Sequence, residues 1–163
     1  MPDNTDNNYP VTSTFLGFDY SQNKIGVAVG QRLTGTASSL TTIISHNKKV
    51  DWRTIDQLLE QWRPVALIVG LPLTMEGEEQ ETTETAKTFG NLLNERYNLP
   101  IHFMDERLSS REASQLLGYD GHTSPRRHSK AGKKVKKHQR LGHDIDQLAA
   151  QLILQSWLNE NDH

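Results

Sequence analysis

Hydrophobic and polar positions along the chain fall into blocks with two different periods. Phe15–Asp19 and Ile25–Gly30 are short apolar runs, and the polar residues Ser21-Gln22-Asn23-Lys24 between them suit a hairpin connection. Thr36–Ile44, rich in Thr and Ile, predicts a third strand. The period then changes. Trp52, Ile55, Leu58, Leu59 and Trp62 follow at helical spacing, with Asp51 placed to cap the start and Pro64 to stop the end. Val65–Gly70 is almost wholly apolar, as in a strand covered on both faces. Ala86, Phe89, Leu92, Leu93 and Tyr97 mark a second helix beginning near Glu81, and Ile101–Met104 a fifth strand. Ser109-Ser110-Arg111-Glu112 has the spacing of a capping box and predicts a short helix. Ile145, Leu148, Ala149, Leu152 and Ile153 share one face of a last helix over Ile145–Leu158.

The predicted order is three strands, helix, strand, helix, strand, short helix, loop, helix. That is an α/β chain with a mixed five-stranded sheet, its later strands joined by right-handed helical crossovers. At 163 residues it suits one domain, over 14–163, preceded by a polar tail over 1–13. The tail has neither a basic residue nor an apolar stretch, and reads as flexible rather than as a signal peptide. No apolar run has the length of a membrane span. Cysteine is absent, which excludes disulfides and thiolate metal sites and fits a reducing cytoplasm.

Charge changes the picture. The net charge of −2 hides a segment, His122–His143, with Arg126, Arg127, Lys130, Lys133, Lys134, Lys136, Lys137 and Arg140 and no acid. Subtracting those eight positives leaves −10 on the rest of the chain. A basic loop at about 121–143 on an acidic body points to a polyanionic partner. No aromatic residue is interleaved with it, so it offers phosphate attraction rather than base reading. Charge runs are also commonly plain solvated faces.

The acids are more specific. Asp19 ends the first strand and Glu106 follows the fifth. Asp146 falls in the first turn of the last helix as predicted here. Strand 1 at the centre with strand 4 beside it and strand 5 beyond puts Asp19 and Glu106 at the same carboxyl edge, where ligands of such sheets gather. Each acid alone has an ordinary reading: a turn for Asp19, a surface ion pair for Glu106, a helix-dipole charge for Asp144 or Asp146. Three converging carboxylates repel one another, and a divalent cation resolves the repulsion. Oxygen-only donors suit Mg²⁺ or Mn²⁺. One or two such ions activate water for phosphodiester hydrolysis. Lack of cysteine and of a tight His pair argues against zinc.

FDYSQNKIGVAVG, VGLPLTMEGEEQ, DERLSSREA and DIDQLAAQLILQSWL resemble, in order, the blocks of the YqgF/RuvX family. Its members are Holliday-junction resolvase homologues, also described as pre-16S ribosomal RNA nucleases. The resemblance covers roughly Phe15–Leu158. It implies a ribonuclease H-like fold, a cytoplasmic bacterial protein, and maturation of the 5′ end of the small-subunit RNA, with a possible association with ribosomal particles. It also implies that Asp19, Glu106 and Asp146 are catalytic and metal-binding, and that Arg107 contacts phosphate beside the basic segment. The family often has Gly two residues after the first acid, where this chain has Ser21. The 121–142 segment is also longer and more basic than the family pattern. The residues leave open precursor RNA or four-way DNA as substrate, a non-catalytic nucleic-acid-binding module, and a monomer or homodimer.

Overall fold

The structure is a computed structural model. It describes residues 9–73, 76–78, 80–106 and 131–161, with residues 131–144 described by their backbone alone. Among the described residues, five strands and three helices follow in the order β1 (Thr14–Tyr20), β2 (Lys24–Gln31), β3 (Thr36–Ile44), α1 (Trp52–Trp62), β4 (Ala66–Leu71), α2 (Glu81–Tyr97), β5 (Ile101–Asp105) and α3 (Ala131–Glu160). The sheet order is β3-β2-β1-β4-β5. β1 pairs antiparallel with β2 and parallel with β4; β2–β3 is antiparallel and β4–β5 parallel. No helix among the described residues is long and apolar enough to cross a membrane.

Alternation along the strands makes two unlike faces. Leu16, Phe18, Ile25, Val27, Leu67 and Val69 are large and pack under α1 and α2, against Ile55, Leu58, Phe89 and Leu93. The other face mixes Phe15, Ile68 and Met104 with small residues, Gly17, Ala28, Gly30, Ala37 and Ala66. It receives α3 through Ala150, Ile153, Leu154, Trp157 and Leu158. A Cβ on Gly17 would sit 2.9 Å from that of Leu154, so side-chain-free positions let this helix lie close to the sheet.

Helix ends are locally encoded. The Asp51 carboxylate accepts the Thr54 N–H (3.2 Å) and the Thr54 hydroxyl (2.7 Å) at the start of α1. Arg63 ends it in the left-handed conformation, ahead of Pro64. Before α2, the buried Thr83 hydroxyl accepts the Gln80 N–H at 3.0 Å and donates to the Pro72 carbonyl.

Two expectations change. The last helix begins at Ala131 rather than Ile145, so residues 131–143 of the expected loop are helical, and Asp146 lies well inside α3 instead of in a first turn. Lys, Arg, Gln and Leu, good helix formers, outnumber the weaker Gly132, Val135, His138, Gly142 and His143. Like-charge repulsion costs a few tenths of a kcal/mol per pair, a small opposition once the packed half of the helix supplies the nucleus. Tyr9 and Ser13, in the described part of the expected tail, also pack onto the domain. Tyr9 packs edge-on to Phe15 (centroids 5.3 Å apart), its hydroxyl lies 3.0 Å from His102 Nε2, and Ser13 is buried. The predicted helix at Ser109 lies outside the described residues.

Candidate active site

Asp19 is the penultimate residue of β1, opposite Gly26 of β2. Glu106 directly follows β5, whose last residue, Asp105, pairs with Leu71 of the neighbouring β4. Phe15, Gly17 and Asp19 alternate onto the α3 face, and His102, Met104 and Glu106 continue the same phase. Both carboxyls therefore end on one side of one edge. Gly70, between them on β4, leaves the room. A Cβ there would lie 2.7 Å from Glu106 Oε2 and 2.5 Å from Ile153 Cδ1. This close approach of side chains is the structural use of Gly70.

Asp19 and Glu106 share a hydrogen bond. Burial pushes the Glu106 carboxyl up to about 9; the Asp19 charge, the shared bond and the Asp105 charge push the same way. Burial also raises Asp19, opposed by its bond to Glu106, with the Asp146 charge raising it and Lys24 lowering it. At neutral pH Glu106 thus keeps its proton, because a second charge beside Asp19 in this desolvated place is unfavourable.

Asp146 arrives from α3. A Cβ on Gly26 would fall 2.2 Å from the Asp146 carbonyl oxygen, so the absence of a side chain on β2 lets this turn of helix touch the strand. Lys24 Nζ lies 2.9 Å from Asp146 Oδ2 in a charge contact without hydrogen-bond geometry. Their side chains stay 37% and 21% exposed, so this flank opens to solvent. Lys24 was missed in the sequence, although alternation with Gly26 and Ala28 places it on the site face. Its position is set by the turn: Ser21 Oγ donates to the Lys24 carbonyl (2.8 Å) and accepts the Lys24 N–H (3.3 Å). Ser21 thus closes the turn with its own side chain.

Asp19 and Glu106 are therefore in contact, while Asp146 faces them electrostatically but is engaged by Lys24. Among the described residues, no three His, Cys, Asp or Glu side chains form a ready-made metal cluster. The donor chemistry nonetheless fits a hard divalent cation: the donors are all carboxylate oxygens, and Asp19 and Glu106 hold between them a proton that a cation would replace. Arg107, Arg126, Arg127 and Lys130 lie outside the described residues. Lys133, Lys134, Lys136, Lys137 and Arg140 are on the α3 backbone, N-terminal to Asp146. At 1.5 Å per residue they extend the helix roughly 9 to 20 Å beyond the acidic edge.

A family model described as RuvX, Holliday junction resolvase, matches residues 13–160. A protein of Nitrosococcus oceani named for pre-16S rRNA nuclease activity is 46% identical over 145 residues, covering 89% of this chain and 86% of its own. A relative of the same name from Saccharophagus degradans is 39% identical over 150 residues, covering 92% and 96%. Among solved structures, the yeast mitochondrial Holliday junction resolvase Ydc2 superposes with a TM-score of 0.55 at 12% identity, covering 94% of this chain and 80% of that one. RuvC of Thermus thermophilus in complex with a Holliday junction gives 0.50 at 14%, covering 91% and 95%. These two likenesses bear on the fold, which is ribonuclease H-like.

Proposed function

The chain belongs to the RuvX family of Holliday junction resolvases, and from that premise we propose that it is a divalent-metal-dependent endonuclease maturing the 5′ end of precursor 16S RNA. The contact between Asp19 and Glu106 at the carboxyl edge carries this reading. Two part-buried carboxyls have no structural need of each other there, and their mutual repulsion is what a cation relieves.

Asp19 and Glu106 would hold Mg²⁺ or Mn²⁺, with Asp146 as the third donor. The bound ion supplies a water of lowered pKa and offsets charge on the phosphate. The chain's own residues do the rest. Gly26 and Gly70 let α3 and Glu106 close on the edge. Lys24 neutralises Asp146 on the solvent side until it is needed. Arg140, Lys137, Lys136, Lys134 and Lys133, with Lys130, Arg126, Arg127 and Arg107, supply positive charge for the sugar-phosphate backbone. A cytoplasmic location agrees with a cysteine-free chain.

The test is cleavage of a precursor 16S RNA fragment in Mg²⁺ or Mn²⁺, with four-way DNA alongside. The expected result is metal-dependent cleavage of the RNA that Asp19→Asn lowers about a hundredfold or more. Preferential cleavage of the junction moves the substrate to DNA. Binding that survives EDTA without cleavage at any metal concentration leaves a non-catalytic module.

A further inference from the structure

Asp19 and the next residue, Tyr20, point to opposite faces of the sheet. Asp19 joins the carboxyl site; Tyr20 lines a cavity of about 350 Å³ between the β1–β2 turn and the first turns of α2, within the range of small-molecule clefts. Ser21, Gln22 and Asn23 form one wall, and Glu81 and Thr85 the other. Tyr20 is rigidly backed. Its ring stacks on the buried Phe89 (centroids 4.6 Å apart, 20° between planes), and Phe89 stacks on Trp52 (6.0 Å, 25°). Arg96 lies 5.1 Å over Trp52 and is gripped by both Asp56 oxygens at 2.9 Å. An aromatic ring braced this way loses little freedom when a second flat group lands on it.

The cavity is unsuited to phosphate. Among the described residues no cation lines it, Glu81 and Glu84 stand in the first turn of α2, and the Thr83 and Glu84 N–H groups already bond the Gln80 carbonyl. Its inventory is one aromatic surface, amide and hydroxyl groups that donate and accept, and a carboxylate that accepts from ring or exocyclic N–H. Unpaired bases are recognised by such a set, stacked on an aromatic ring and read along their hydrogen-bonding edge.

We infer that this cavity is a nucleobase subsite, which takes one unpaired base flanking the phosphate held at Asp19 and Glu106. The inference rests on the nuclease reading and narrows its substrate to a single strand, because a base held in a duplex cannot enter. Strand polarity aside, the strand crosses the sheet edge with its phosphate on one side of β1 and a base on the other.

The test reads binding, which needs no catalysis, so the subsite and the nuclease reading stand or fall separately. A short 5′-fluorescein RNA is titrated with protein in EDTA and followed by anisotropy, with a single abasic residue walked along the strand. In the wild type, one position should cost about tenfold in affinity when its base is removed. Tyr20→Ala should lose that sensitivity, so that intact and abasic strands bind alike, and Tyr20→Phe should keep it. Thr82→Trp, which puts a large ring into the cavity from an exposed helix position, should also abolish it. Indifference of the wild type to every abasic position overturns the subsite, as does undiminished sensitivity in both Tyr20→Ala and Thr82→Trp.

Discussion

Glu106 is held neutral by burial and by Asp19, and this has a measurable cost when no cation is bound. Its carboxyl sits near 9 in the folded chain against 4.5 unperturbed. The folded state therefore keeps a proton that the unfolded state releases between those values, and stability falls as pH rises through that window. Asp19, also raised, adds in the same direction. Glu106→Gln keeps the shape and removes the titration. In metal-free protein at pH 8 it should be more stable than the wild type by about 1–3 kcal/mol, a fraction of the 1.4 kcal/mol per pH unit that full linkage allows. The two should converge near pH 4, as denaturant melts at both values check. The sequence showed that Asp19 and Glu106 share an edge, because strand ends follow from apolar periodicity. It did not show that they touch, because that depends on Gly70 and on the packing of α3. Lys24 was hidden for a related reason: a charged residue at a turn looks like a surface residue until its face is known.

At the scale of elements, α3 organises the molecule. Its glutamines cover the outer edge of β3. Gln155 Oε1 accepts the Ala37 N–H at 2.9 Å and its Nε2 donates to the Gly35 carbonyl at 2.8 Å; Gln151 Nε2 donates to the Ala37 carbonyl at 3.1 Å. These bonds satisfy backbone groups that an edge strand otherwise offers to another chain. Gln155→Ala should cost about 1–2 kcal/mol by leaving part-buried groups unpaired. Sedimentation at rising concentration should show it self-associating more readily than the wild type. Strands and the first two helices were legible in the sequence almost to the residue, since their signals are local: Asp51 and Pro64 around the first helix, and apolar spacing up to Tyr97 in the second. The start of α3 was not. Charge density and glycine suggested a loop, while helix propensity and continuity with a packed segment decided the matter. Moving Asp146 from a first turn to a mid-helix position removes the helix dipole as a reason for its charge and leaves Lys24 and the site.

For the molecule as a whole, the acidic body meets the basic half of α3 at the site. An extended cationic helix grips a polyanion by releasing its counterions, without regard to sequence. Lys133, Lys134, Lys136 and Lys137 replaced together by Gln should flatten the log–log dependence of single-stranded RNA affinity on salt by about 3 units, at roughly 0.7 per neutralised phosphate. Activity on a saturating substrate should change far less. Charge asymmetry was fully legible in the sequence, whereas the direction in which the arm leaves the site needed the helix axis.

The central claim is that Asp19 and Glu106 hold a divalent cation in place of their shared proton. Calorimetric titration of Mn²⁺ at pH 7.5, in two buffers of different ionisation enthalpy, tests it most directly. The account predicts release of close to one proton per ion bound, affinity that rises with pH toward 9, and loss of binding in Asp19→Asn. Binding of Mn²⁺ without proton release, or with equal affinity in Asp19→Asn, would contradict it.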